Sequence, residues 1–193
     1  MSKRIVLAVF FFMVMAFIIP LAQSILFSNR STGKITINEQ LSAPYLLGSD
    51  KQYMLVFFGY VGCTKVCTPI LHELDAMYES KNFDVIRDRV ELVFVNLMPE
   101  LEPDQPDLFA KSFNPHFRGI YLTQSELMNI DRELGVFFSK SISDTTELDH
   151  SDHLYLVEKK KDGTLVLRSI YTTHPIVRQL VIDDISLLRK EKE

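Results

Sequence analysis

The chain of 193 residues holds two cysteines, Cys63 and Cys67, with three residues between them. Two thiols at that spacing have three chemical uses. They can exchange a disulfide with another thiol pair, hold a soft ion such as copper(I) or zinc, or close an inert structural bridge. Two cysteines are too few for a four-cysteine zinc or iron–sulfur site, so a metal needs a further ligand from elsewhere in the chain. The pattern is CxxxC rather than the CxxC of common redox sites, and by itself it leaves all three uses open.

The flanking residues indicate what positions the pair. Met54-Leu55-Val56-Phe57-Phe58 is a continuous apolar run that reads as a strand buried on both faces. A glycine-bearing turn, Gly59-Tyr60-Val61-Gly62, leads to the cysteines. Thr68-Pro69 reads as an N-cap followed by proline at the first helical position. Ile70, Leu71, Leu74, Met77 and Tyr78 then share one helical stripe. The cysteines are therefore expected where a strand hands over to a helix N-terminus, whose free amides and dipole favour thiolate over thiol.

Ahead of this unit, Ile5 to Phe27 is a stretch of 23 uncharged residues behind Lys3 and Arg4. At ~1.5 Å rise per residue it is long enough to cross a bilayer of about 30 Å. The basic pair is expected on the cytoplasmic side, with the rest of the chain in the periplasm or an equivalent extracytoplasmic space. The competing reading is a cleavable signal peptide ending near Ala22-Gln23-Ser24; the length of the apolar run favours an uncleaved anchor. The expected organisation is an anchor over residues 1–29, a tether over 30–50 and one domain over 51–193. The whole chain carries a net charge of −4, and its anchor holds only basic charges, so the domain is more acidic still. That balance, with Lys159-Lys160-Lys161 as the one basic run, excludes a nucleic-acid binder.

Beyond the cysteine helix, Val90–Leu97 reads as a second buried strand, and Arg118–Leu122 as a short one. A proline-rich acidic loop over 99–106 opens a short helix through Phe113. Thr123-Gln124-Ser125-Glu126 is a capping box for a helix that Gly135 ends. A hairpin turning at Asp162-Gly163 follows. A last helix is expected from Pro175, with Ile176, Val177, Leu180, Val181, Ile185 and Leu188 inward. Periodicity alone supports an α/β domain with one mixed sheet.

The stretch FFGYVGCTKVCTPIL resembles the CxxxC signature of the SCO/SenC family of membrane-anchored copper proteins. Asp149-His150-Ser151 followed by Tyr155-Leu156 is similar to that family's Asp-His-Ser/Thr segment and the strand after it. Arg118-Gly119-Ile120-Tyr121-Leu122-Thr123, Glu126 and Gly135-Val136-Phe137-Phe138-Ser139-Lys140 fall between them in matching order. The resemblance implies a thioredoxin-like mixed sheet flanked by helices. It also implies one copper ion per chain on Cys63, Cys67 and His150, with Asp149 a candidate to orient the imidazole. His153 is a weaker candidate ligand, and His72, His116 and His174 read as solvated or packing histidines. Met98 is the one methionine near the expected site edge. Thr64 and Lys65 replace the family's usual proline and aspartate between the cysteines, and Lys65 is expected to favour thiolates. Asn96-Leu97-Met98-Pro99-Glu100 replaces an acidic, arginine-containing segment after the second core strand.

Two functions follow as expectations. The first is a copper carrier that delivers the ion to a respiratory oxidase subunit or another periplasmic copper protein. The second is a thiol–disulfide oxidoreductase in which Cys63 attacks and Cys67 resolves, keeping a partner's copper-site cysteines reduced.

Overall fold

The computed structural model describes residues 3–5, 10–16, 18, 33–141 and 147–190, with backbone alone at 131–132. Two compact units are present, Met1–Gly33 and Lys34–Glu193. In the first, residues 3–5 and 10–16 are helical. Among the described residues no helix is long and apolar enough to cross a membrane. The expected span from Ile5 to Phe27 lies for the most part outside the described residues.

The second unit is built on the strand the apolar run predicts. This is β2, Tyr53–Gly59, in which every residue is buried. Its alternate side chains feed two separate cores, one on each face of the sheet: Tyr53, Leu55 and Phe57 point into the first, and Met54, Val56 and Phe58 into the second. Each fully buried side chain of that size contributes about 1.5–3 kcal/mol, so this strand is the axis of the domain. Beside it lies β3, Val90–Asn96, parallel and paired from Tyr53↔Val90 to Gly59↔Asn96. On its other side is β7, Leu154–Lys159, antiparallel.

The full six-stranded order is β1-β8-β7-β2-β3-β4, with β1 Lys34–Leu41, β4 Arg118–Ile120 and β8 Leu165–Tyr171. The segment expected as a tether up to residue 50 thus contributes an edge strand of eight residues. The helices are α1 Cys67–Tyr78, α2 Gln105–Phe113, α3 Gln124–Leu134 and α4 Arg178–Lys190. The face of α1 carrying Ile70, Leu71, Leu74, Met77 and Tyr78 is buried in the first core, as its spacing predicts. The capping box of α3 forms: the Thr123 amide donates to Glu126 Oε2 at 2.8 Å, and the Glu126 amide donates to Thr123 Oγ1 at 3.4 Å. The Thr123 hydroxyl also donates to Glu126 Oε2, at 2.7 Å, and this bond together with that of the Thr123 amide favours the ionised carboxylate and holds Glu126 below its ordinary range.

Three local expectations change. Thr68 does not cap α1; the helix already begins at Cys67, and the Thr68 hydroxyl donates to the Cys63 carbonyl at 2.9 Å. The last helix begins at Arg178, not Pro175, so Val177 stays 49% exposed while Ile182 is buried. Asp184 is buried in that helix as well. It accepts from Lys34 Nζ at 2.6 Å and from the Tyr171 hydroxyl at 2.7 Å, so a paired carboxylate sits where apolar spacing shows nothing. Two strands were not expected from periodicity: β5, Phe138–Lys140, and β6, Leu148–His150, each of three residues. Among the described residues they pair only with each other, in a second sheet of two strands, with Phe138↔His150 in register.

Candidate metal centre

Cys63 and Cys67 lie at the C-terminal end of β2, where the chain turns into α1, and both are buried. The backbone of the turn is fastened from below by Asn96, the last residue of β3 and fully buried. Its Oδ1 accepts the Val61 amide at 3.2 Å, and its Nδ2 donates to the Met98 carbonyl at 2.5 Å. A second tie is the Leu97 amide donating to the Gly59 carbonyl at 2.7 Å. Gly59 itself is required by close approach. A Cβ at that position would stand 2.6 Å from Cys67 Sγ and 3.1 Å from the Phe94 ring, so the sulfur rests on bare backbone.

The two thiols are not equivalent. Cys63 Sγ takes the place of a helix cap, accepting the Cys67 amide at 3.3 Å. A hydrogen bond from the Cys67 side chain, joined by the amides of residues 67 and 66, outweighs burial and lowers the Cys63 thiol to about 4. Cys67 moves the opposite way. Its hydrogen bond to Cys63 and its own burial keep the proton, and its pKa rises well above the cysteine range. The pair is thus a thiolate at Cys63 and a thiol at Cys67.

His150 closes the arrangement from the end of β6. Its Nε2 is 3.4 Å from Cys67 Sγ, across a separation of 83 positions in the chain. Its Nδ1 is 2.9 Å from the Ser151 carbonyl; a carbonyl only accepts, so Nδ1 bears the proton and Nε2 keeps a free lone pair. The edges of the ring contact meet Tyr60 at 5.9 Å and 88°, and Phe57 at 6.4 Å and 69°. One ligand atom from each of Cys63, Cys67 and His150 lies within 4.8 Å of the other two. Among the described residues this is the one such group of histidine, cysteine and carboxylate side chains.

The remaining expected residues distribute as follows. Asp149 is exposed and on the opposite side of its strand from His150, so the Ser151 carbonyl, not Asp149, orients the imidazole. His153 lies 3.3 Å from Asp152 and His174 Nε2 lies 2.6 Å from the Asp152 carbonyl, apart from the three-residue group. His72 packs on Phe113 and His116 stacks on Tyr78. Met98 is partly buried against the first core and lines a cavity of about 420 Å³ with Leu97, Leu127, Phe138 and Leu148. The Lys65 ammonium reaches Glu147, at 2.7 and 3.0 Å from the two carboxylate oxygens. Sequence reasoning missed Gly59, Asn96, Tyr60 and Glu147. Gly59 carried a usable signal, since a glycine ending a fully apolar strand marks a close approach.

A family model described as SCO1/SenC matches residues 46–181. The chain belongs to the SCO1/SenC family. Protein sco1 of Schizosaccharomyces pombe is 28% identical over 113 residues, covering 55% of this chain and 43% of that protein. A SCO2-like protein of Rickettsia conorii is 24% identical over 123 residues, 58% of each. The chain thus spans about half the length of the curated relatives it matches. Among solved structures, apo Sco1 from Thermus thermophilus superposes with a TM-score of 0.58 at 26% identity, over 80% of this chain and 92% of that one. ScoI of Arabidopsis thaliana, solved with copper bound, gives 0.57 at 22% identity, over 72% and 85%. At that identity the likeness is one of fold, and it confirms the thioredoxin-like α/β architecture with its mixed sheet.

Proposed function

We propose that Cys63, Cys67 and His150 hold one copper ion, and that the domain carries it to a copper-receiving respiratory oxidase subunit or another extracytoplasmic copper protein. The observation that supports this best is the convergence of the three ligand atoms within 4.8 Å, with the imidazole lone pair facing the sulfurs. Two sulfurs and a neutral imidazole make a soft donor set suited to copper(I), one short of a closed structural zinc site. ScoI of Arabidopsis thaliana and ScoI of Bradyrhizobium japonicum, both solved with copper bound, support copper as the ion. In reducing buffer, the wild-type chain should bind one copper ion. His150→Ala should bind at least about tenfold more weakly, and Cys63→Ser or Cys67→Ser should not bind. Equal affinity of His150→Ala and wild type would sink the three-ligand site.

The second reading, a thiol–disulfide oxidoreductase, draws on the thiol asymmetry. A thiolate at Cys63 beside a protonated Cys67 is the arrangement of an attacking and a resolving thiol. A disulfide switch is described for BsSco, a relative 18% identical. Burial weighs against it: Cys63 is only 4% exposed, so a bulky disulfide reaches it only if the residues covering it move aside. The two readings separate on His150→Ala, which abolishes neither disulfide formation nor reductase turnover.

The expected location follows from the same proposal. Ile5 to Phe27 anchors the chain in a membrane, with Lys3 and Arg4 cytoplasmic and residues 51–193 on the far side. A mature N-terminus just after Ser24, or release of the protein by osmotic shock, would count against the anchor.

A further inference from the structure

The third ligand comes from a poorly supported element. β5 and β6 have three residues each and stand outside the six-stranded sheet, and a lone two-stranded hairpin is marginal in water. Some ties reach it from the domain side. Leu148 and Phe138 pack against the cores, and Tyr60 and Phe57 meet the His150 ring. One further tie runs directly to the ion-binding turn. Glu147, immediately before β6 and three residues ahead of His150, receives the ammonium of Lys65 from within the CxxxC turn.

We propose that Lys65 and Glu147 are positioning residues that clamp the His150 hairpin onto the cysteine turn and so slow the release of copper. Neither group touches the three ligand atoms. Each acts through the loop that carries a ligand, because the ion pair joins the two loops directly. The Lys65 side chain is 74% exposed and that of Glu147 33%, so the clamp is weak and open to competition by dissolved ions. A weak clamp suits a carrier, since His150 has to be able to leave when the ion is handed on.

This inference rests on the copper-carrier reading, and one experiment keeps the two apart. Copper(I) is loaded on the full chain and its transfer to a copper(I)-specific chelator is timed at low and raised ionic strength. Lys65→Glu and Glu147→Lys should each release copper about two- to fivefold faster than wild type, and the double charge swap should return the rate to within about twofold. Raised salt should speed release from wild type and leave Glu147→Gln unchanged. In the metal-free chain, Glu147→Gln should speed hydrogen exchange of the Ser151 amide, which donates to the Phe137 carbonyl at 2.8 Å within the hairpin: a two-stranded pair is marginal on its own, so its pairing frays once the clamp to the cysteine turn is lost. Release and exchange at the wild-type rate in both single variants would overturn the clamp, as would a double swap that fails to restore the rate. If His150→Ala itself releases copper at the wild-type rate, the carrier reading falls first.

Discussion

The two halves of the metal centre are built on opposite principles. The cysteine half is part of the scaffold: β2 is buried along its whole length, α1 starts on Cys67, and the turn between is fastened by Asn96 and seated on Gly59. The histidine half is an appendage of two short strands held by ring edges, a few apolar side chains and one exposed ion pair. A permanent metal site would have all its ligands on rigid elements. Two fixed sulfurs and one movable nitrogen make a site that keeps its soft donors assembled and adds or withdraws the third. The difference can be tested from either side.

Acid should have the largest effect, because it acts on the sulfurs themselves. The folded-state pKa of Cys63 is depressed to about 4, whereas in the unfolded chain it returns to roughly 8.5. Between those values the folded state binds fewer protons, so the stability from Cys63 is complete above the unfolded value and is lost as pH falls through about 4. Cys67 has the opposite sign: its raised pKa stabilises the fold below the unfolded value, and that contribution declines as pH rises beyond it. Urea midpoints should therefore peak between neutral and mildly alkaline pH, and Cys63→Ser should flatten the acid limb. Near neutral pH, copper(I) should displace about one proton per ion, from Cys67, since Cys63 is already ionised. Calorimetry in two buffers of different ionisation enthalpy reads that number, and a release near two would show the thiols to be equivalent.

Gly59→Ala strikes the seat of Cys67. Something must shift when a methyl group is placed 2.6 Å from a sulfur that cannot retreat from its own helix. The expected cost is about 1–3 kcal/mol of stability, together with loss of copper binding. Unchanged stability with full copper stoichiometry would show that the strand end is more yielding than the packing suggests. Asn96→Ala should cost less, about 1–2 kcal/mol, by leaving the Val61 amide and Met98 carbonyl without their buried partner. Because those groups belong to the scaffold half, the urea midpoint should fall along with copper affinity.

The same division explains what the sequence made legible. The apolar run at 54–58, its partner at 90–97 and the stripe on α1 announce themselves because burial on regular elements leaves a periodic trace. The capping box at Thr123 and the turn at Asp162-Gly163 are visible for a similar reason, since each depends on residue types at fixed local offsets. β5 and β6 are too short for any period to show, and their burial is only partial. His150 is therefore legible through family resemblance rather than through pattern. Glu147 and Lys65 are 82 positions apart, and nothing local to either residue points to the other. Asp149 misled for a geometric reason: neighbours in a strand face opposite ways.

The smallest expected effect falls on the histidine half, and there stability and site should part company. The Ser151 hydroxyl oxygen accepts the Phe137 amide at 3.1 Å on the exposed side of the β5–β6 pair, and its backbone carbonyl holds His150 Nδ1. Ser151→Ala removes the first bond, together with the hydroxyl's own donation to the Phe137 carbonyl at 3.4 Å, and leaves the second. The bond is partly open to water, so its loss should cost below about 1 kcal/mol, and it lies in a hairpin that opens on its own before the domain unfolds. The global urea midpoint should then stay at the wild-type value. The hairpin should open more often: exchange of the Phe137 and Ser151 amides should quicken, and copper should dissociate a few times faster, about two- to fivefold. Asn96→Ala and Ser151→Ala thus delete the same kind of bond from the two halves. If Ser151→Ala lowers the urea midpoint as far as Asn96→Ala does, the hairpin unfolds with the domain and His150 is as fixed as the sulfurs.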